Sequence, residues 1–375
     1  MQCRGCRRKD KAPGATVREV GIVSGQRALP IAYTVVDRPS VPVIWLDTHV
    51  VSTFCSAQER RGQDPTADLA RFDRMVALVR AGRLVVPETD QLEEIRLKPS
   101  LVDSAVSVLV ALGGSVERAS RHDVRRSQER AGMSAYLAAE QSTDLPWRDV
   151  FVEVEQADSP LTVRGTATSE SDNESKRKRK RMVARDWESI RLAASKFPGR
   201  QDARFLRQLN DERLGMADVF DQWLEAAYSV QEAEPEAVLD AHYAVSSRMD
   251  DWRASGGAGL FALRDFYLSQ HYCALPHVQI GTELRARQMV IGQTVRSGDN
   301  MDLLHVATVL PYADLMVVDR ATIDAVNQLK LGERFECQLG KLSDIDHFLD
   351  EVESGRRTRK SIASGGVDSP RPDAP

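Results

Sequence analysis

The sequence lacks the features of a membrane protein, a secreted protein or a protein that coats nucleic acid with bulk charge. It contains no uninterrupted apolar run of about eighteen residues, the length that crosses a bilayer. The first residues, MQCRGCRRKD, have no apolar segment of the kind a signal peptide needs. The formal net charge is −4, which leaves only local basic patches for nucleic-acid contact. These absences predict a cytoplasmic protein without a membrane partner.

Cysteine is scarce as well. The five cysteines are odd in number and scattered, which favours a reducing compartment over a disulfide framework. Cys3 and Cys6 form a single C-x-x-C, and no second cysteine pair or histidine pair lies near them. They cannot complete a tetrahedral zinc site by themselves. The sequence therefore predicts neither a disulfide scaffold nor a zinc centre.

The length and the apolar content allow a sizeable folded core. The chain has 375 residues, 42% of them hydrophobic, enough for two modest domains or for one domain with a large insertion. The composition of residues 1–40 predicts a loosely ordered leader with a short strand at Ala32–Val36. Residues 354–375 are predicted to form a disordered tail. Residues 99–274 are mostly helical in pattern, with a polar, basic loop near 156–181 expected to be disordered or mobile.

Two apolar runs of strand length stand far apart in the chain. Val41–Leu46 and Leu315–Val318 are continuous rather than alternating, which is typical of central parallel strands whose two faces are both covered. Further short strands are predicted at Arg83–Val86 and Arg334–Leu339. The pattern indicates an α/β fold built on an open parallel sheet.

Acidic residues follow or adjoin these strands. Asp47 comes after the first strand, Asp319 comes after a later one, and Asp302 opens a short helix. Glu93 and Glu94 lie on the helix after Arg83–Val86, and spacing does not choose between them. The carboxyl ends of parallel strands share one edge of a sheet, so these acids are expected to converge there.

A cluster of carboxylates has a specific chemical requirement. Like charges at contact distance are tolerated mainly when a divalent cation neutralises them. Oxygen ligands select Mg²⁺ or Mn²⁺ rather than zinc. Such an ion can activate water and stabilise the charge that develops on a phosphodiester during hydrolysis. The acids thus predict metal-dependent phosphodiester chemistry.

In order and type, the motifs resemble those of the PIN-domain nucleases. The matching segments are an apolar strand with Asp47-Thr48, Pro87 followed by LEEI at 92–95, Asp302-x-x-His305-x-Ala307, and ADLMVVD at 313–319. The resemblance covers 41–98 and 275–350. It implies a three-layer α/β/α fold with a central parallel sheet, and a Mg²⁺- or Mn²⁺-dependent ribonuclease acting on RNA, single-stranded RNA above all. The long interval between these parts implies a mostly helical insertion at 99–274.

The resemblance also assigns roles to individual residues. It implies that Asp47, Glu94, Asp302 and Asp319 are the catalytic metal-binding acids, with Glu93 as the alternative second acid. It implies that Thr48 supports Asp47 by hydrogen bonding.

Three other features were weighed beside these roles. His305 lies one turn after Asp302 and is either a contact to metal-bound water or substrate, or a structural hydrogen bonder. Asp314 precedes its strand and is expected at the opposite edge. A basic run can bind phosphates or form a solvated helix flank, and consists of Lys176, Arg177, Lys178, Arg179, Lys180 and Arg181.

Two other functions stay open. One is a catalytically inactive PIN-like scaffold that binds nucleic acid or protein. The other is a DNA-directed nuclease with the same site, because a metal–carboxylate site does not itself read the 2′-hydroxyl. A haloacid-dehalogenase-like phosphatase is disfavoured because its second aspartate would stand where the chain has His49. The sequence does not decide whether the protein has a protein partner or self-associates.

Overall fold

A computed structural model describes residues 31–60, 66–87, 91, 95, 99–113, 116–153, 170–228, 235–291 and 294–357. Glu93 and Glu94 lie outside the described residues, as do the expected leader up to residue 30 and the expected tail from residue 358. Helices outnumber strands in the described part, and the strands form small sheets that are mainly parallel. The fold is therefore mostly helical with an α/β element.

The strands are short. They are β1 (Ala32–Val36), β2 (Ile44–Leu46), β3 (Val116–Arg118), β4 (Ser142–Pro146), β5 (Phe151–Glu153), β6 (Leu315–Val317) and β7 (Gln338–Gly340). The central sheet has the order β2-β6-β7, and both of its pairings are parallel. An isolated parallel bridge between Val43 and Val85 extends it at the β2 side. Elsewhere β1 pairs parallel with β4, and β3 pairs antiparallel with β5.

The helices of the described residues connect and cover these strands. They are α1 (Thr48–Glu59), α2 (Ala67–Arg80), α3 (Val102–Gly113), α4 (Arg121–Ala138), α5 (Glu170–Ala194), α6 (Gln201–Tyr228), α7 (Pro235–Ala254), α8 (Leu260–Leu268), α9 (Gln270–Ala274), α10 (Pro276–Ile291), α11 (Asp299–Val309), α12 (Arg320–Gln328), α13 (Leu331–Arg334) and α14 (Ile345–Glu353).

The central strands bury both of their faces. Ile44 and Val317 point into an apolar cluster formed with α1, α2, α3 and α14. Trp45 and Met316, their neighbours in sequence, belong to a second cluster formed with α4, α10, α11 and α12. Successive side chains of a strand point to opposite faces, so helices on both sides explain why these strands read as continuous apolar runs.

A third apolar cluster lies among helices of the segment that separates β2 from β6 in the chain. It is built from α4, α6, α7, α8 and α9 around the buried rings of Phe220, Trp252 and Phe266. The division into a nuclease domain and an insertion remains a prediction, and the 99–274 segment contributes three short strands besides its helices.

Several boundary predictions were wrong. The expected mobile loop near 156–181 is helical from residue 170, since α5 includes the whole basic run; residues 154–169 lie outside the described residues. Lysine and arginine are good helix formers, so the charge run continues the helix. Within the 99–274 segment, expected to be mostly helical, the strand β3 precedes α4, and α11 begins at Asp299, three residues before Asp302. The short strand at Ala32–Val36 is confirmed.

Candidate metal site at the edge of the central sheet

Asp47 and Asp319 stand at the same edge of the central sheet. The backbone N–H of Asp47 donates to the Val317 carbonyl at 3.0 Å, so β2 ends beside the end of β6. Asp47 is the N-cap of α1, and Asp319 is the N-cap of α12, where its carboxylate accepts the Thr322 N–H at 2.7 Å. Both acids thus mark the transition from a strand to the helix after it, at the carboxyl edge where open α/β sheets bind ligands.

Asp302 reaches this edge from α11. It lies in the first turn of α11, half-buried. A small cleft contains both Asp47 and Asp302, and its other lining residues are Trp45, His305, Val306, Val318 and Thr322. The cleft therefore brings together residues from the ends of two strands and from two helices. Asp47 and Asp302, which both line it, are some 250 positions apart in the chain.

His49 connects the three acids electrostatically. Its Nδ1 lies 2.6 Å from Asp47 Oδ2, and its side chain is 48% exposed. The hydrogen bond to Asp47 raises the pKa of His49 above its ordinary value; partial burial opposes this, and the charges of Asp47, Asp319 and Asp302 reinforce it. The charges of three of the predicted acids therefore act on one imidazole.

Sequence reasoning gave His49 no role. Its only signal was a histidine two residues after Asp47, on the first turn of α1. That signal is weak because any residue type can occupy an exposed position of a first helical turn.

Thr48 and His305 occupy the neighbourhood that was predicted for them. The Thr48 backbone N–H donates to Asp47 Oδ1 at 2.7 Å, a contact that does not involve the threonine side chain, so the role of Thr48 stays a prediction. His305 is buried, lines the cleft and packs edge-on against Trp45 with 5.5 Å between ring centroids. Its position fits both of the roles considered for it.

Asp314 lies at the other end of β6, as expected. It is buried, and its Oδ2 accepts the N–H of Val43 at 2.7 Å, just before β2 begins. This carboxylate fastens the amino ends of two strands together and is not part of the cleft.

The basic run lies on α5, and three of its six cations are exposed. Lys178, Arg179 and Arg181 are exposed to solvent. Farther along the same helix, Glu188 Oε2 accepts the Val295 N–H at 2.9 Å, shortly before α11 begins. The basic helix is therefore attached beside the segment that leads into the helix of Asp302.

The donor set fits a hard divalent cation in chemical type, because Asp47, Asp302 and Asp319 supply carboxylate oxygens. Among the residues that the structure describes, no three His, Cys, Asp or Glu side chains are grouped so that they could hold a metal ion. Asp47 instead contacts Thr48 and His49, and Asp319 contacts Thr322. Glu93 and Glu94, the candidates for the remaining acid, lie outside the described residues.

Comparisons of the chain with protein-family models, with curated proteins and with solved structures give no match. Within the described ranges, no helix combines the length and the apolar character that a membrane crossing requires.

Proposed function

We propose that the chain is a PIN-like ribonuclease that hydrolyses RNA phosphodiester bonds with Mg²⁺ or Mn²⁺. The observation that carries this proposal is that Asp47 and Asp319 follow two paired parallel strands at one edge of the sheet, and that Asp302 lines the same cleft as Asp47. The acids come from the ends of β2 and β6 and from the first turn of α11. A fold that covers a parallel sheet with helices on both faces supports the PIN-like assignment.

The proposed metal ligands are Asp47, Asp302 and Asp319, with Glu94 or Glu93 as the fourth acid. The metal would activate water for attack on phosphorus and neutralise charge on the phosphate oxygens. The chain's own residues have separate tasks. The Thr48 and Thr322 amides hold two of the carboxylates in place, and His49 provides a polar contact to Asp47 that a bound cation would replace.

Single-stranded RNA is the proposed substrate, and the exposed cations of α5 are proposed to bind its phosphates. The part of α5 around Glu188 is attached beside the segment before α11, which carries Asp302, and this supports the assignment of the helix to the same site. A cytoplasmic location is part of the same proposal.

The test uses the purified full chain with labelled single-stranded RNA, in Mg²⁺, in Mn²⁺ and in chelator. The variants are Asp47→Asn and Asp319→Asn, and asparagine is chosen because it also caps helices well and removes only the charge. The matched control is Asp324→Asn. Asp324 lies on the same helix as Asp319, is 57% exposed, and its ion pair with Arg320 is a long contact of 3.9 Å. We expect metal-dependent cleavage by the wild type and by Asp324→Asn, and a loss of at least about 100-fold in each site variant.

Each other result has a defined meaning. Cleavage retained by the Asp47→Asn, Asp319→Asn double variant would contradict the proposed site. Cleavage of single-stranded DNA but not RNA would select the DNA-directed alternative. Absence of cleavage of any nucleic acid by the wild type would favour the inactive scaffold.

A further inference from the structure

A cavity of about 280 Å³ lies on the other side of α11 from the acidic cleft. Asp302, His305 and Val306 line the cleft, whereas Leu303, Leu304 and Ala307 line the cavity, so α11 stands between the two. Helices α6 and α10 form the facing walls. The volume is near the lower end of the range for small-ligand sites, about 300 Å³.

Glycine keeps part of this space open. Gly215 lies in the middle of α6, a helix of 28 residues, and lines the cavity. A Cβ atom built on Gly215 would meet nothing within 4 Å. Glycine weakens a helix interior relative to alanine, so its presence where a side chain would fit needs another reason. An occupant of the cavity supplies one.

A buried histidine of the cavity wall has a ring nitrogen without a hydrogen-bond partner among the described residues. His277 is 6% exposed and lines the cavity. Its backbone N–H and its Nδ1 both contact Gln128 Oε1, at 3.0 and 2.9 Å. Since a backbone N–H only donates, Oε1 is an acceptor for both, and Nδ1 must carry the proton.

The tautomer determines what the other ring nitrogen can do. Burial lowers the pKa of His277, so the neutral ring exposes an acceptor lone pair at Nε2. Nε2 has no hydrogen-bond partner among the described residues. The nearest charged atom is Glu129 Oε1 at 3.6 Å, and a carboxylate oxygen cannot donate. A ligand with an N–H or O–H group would satisfy Nε2.

The charged lining favours an anion. Arg125 and Arg285 both line the cavity, and Glu212 is the acidic residue among its lining residues. Arg285 Nε lies 3.2 Å from Glu212 Oε2, so part of its charge is compensated within the wall. Arg125 Nη2 lies 3.8 Å from Glu129 Oε1, a carboxylate that does not line the cavity, so the lining residues themselves carry a net positive charge. One acidic group on a ligand would balance it.

The remaining walls are apolar. Trp187 of α5 contributes an indole ring, and Met216, Val278 and the leucines of α11 contribute aliphatic surface. Such walls suit a planar ring better than a hydrated ion alone.

We propose that this cavity binds a small organic anion that combines a planar ring, one acidic group and an N–H or O–H donor. A mononucleotide and an aromatic acid share this chemistry. Arg125 and Arg285 hold the acidic group, His277 Nε2 accepts the donor, and the ring occupies the space left by Gly215. The inference is independent of the nuclease proposal.

Isothermal titration calorimetry of the full chain in chelator tests the proposal without any cleavage reaction. The probes are adenosine monophosphate, uridine monophosphate, indole acetate and inorganic phosphate. We expect at least one ring-containing probe to bind with a stoichiometry of one and more tightly than phosphate. Gly215→Leu, which fills the cavity, should weaken this binding at least tenfold, and so should Arg285→Gln.

The matched control is Arg287→Gln on the same helix. The Arg287 guanidinium contacts Gln328 and does not line the cavity, so this variant should bind the probe as the wild type does. If Gly215→Leu does not fold, the comparison of Arg285→Gln with Arg287→Gln decides the outcome. Failure of all ring-containing probes to bind, equal binding of phosphate, or wild-type binding by Arg285→Gln would overturn the proposal.

Discussion

Glu129 and Arg248 form an ion pair in the interior of the helical region, with Arg248 Nη1 donating to Glu129 Oε2 at 2.8 Å. Glu129 is fully buried, and the carboxylate also faces Arg125 and His277 at longer distances. The pair links α4 to α7 and lies near His277, which is one of the residues that line the cavity.

Removing one member of this pair should be strongly destabilising. Glu129→Gln leaves the Arg248 charge buried without its carboxylate, and we expect a loss of about 3 kcal/mol in the free energy of unfolding. As a control, Asp250→Asn breaks the exposed ion pair between Asp250 and Arg253. It should change the free energy of unfolding by at most about 1 kcal/mol. Urea denaturation measures both. Equal losses in the two variants would contradict the structural role of the buried pair.

The same carboxylate should make stability depend on pH. Burial alone would raise the pKa of Glu129, but the charges around it, those of Arg248 and Arg125 included, outweigh burial, and the pKa is lowered from 4.5 to about 2. A depressed folded-state pKa adds stability that is present above the unfolded value and is lost as pH falls from 4.5 toward 2. Denaturation midpoints measured across this window should fall for the wild type and fall less steeply for Glu129→Gln.

Two glycines should respond oppositely to alanine. Gly215→Ala adds a methyl group in open space within a helix, and we expect a gain of about 0.5–1 kcal/mol in unfolding free energy. Gly257→Ala would place Cβ 2.1 Å from the Trp252 ring, which is fully buried, and should cost about 1–3 kcal/mol. Thermal melts of both variants test this; a loss in both would show that the space at Gly215 is not available.

Asp314 should matter for stability and not for catalysis. Asp314→Ala leaves the buried Val43 N–H without its carboxylate, which should lower the unfolding free energy by about 1–3 kcal/mol. Cleavage per folded molecule, measured below the unfolding transition, should stay near the wild-type rate. A loss of activity comparable to that of Asp319→Asn would place Asp314 in the site after all.

The basic helix should act through phosphate contacts. Neutralising Lys178, Arg179 and Arg181 to glutamine should weaken RNA binding and reduce the slope of log K against log salt by about two to three. Unfolding free energy should hardly change because these side chains are exposed. The control neutralises three exposed arginines outside α5, namely Arg200, Arg253 and Arg356. An equal loss of binding in the control would mean that only net charge matters.

Local pattern was a good guide to the central strands. The continuous runs at Val41–Leu46 and Leu315–Val318 predicted strands buried on both faces, and β2 and β6 have that environment. The same reasoning placed Asp314 and Asp319 at opposite ends of one strand. It was less successful near 170–181, where the polar composition predicts disorder and the residues instead form a helix.

By itself the sequence determined which acids could meet, because parallel strands carry their carboxyl ends to one edge. Only the tertiary structure brought His49, which lies two residues after Asp47, within reach of the charges of Asp302 and Asp319. The same is true of the cavity between α6, α10 and α11. Short runs of residue type indicate which segments form strands, whereas the approach of residues distant in sequence and an internal space depend on how helices pack, and no local pattern encodes that packing.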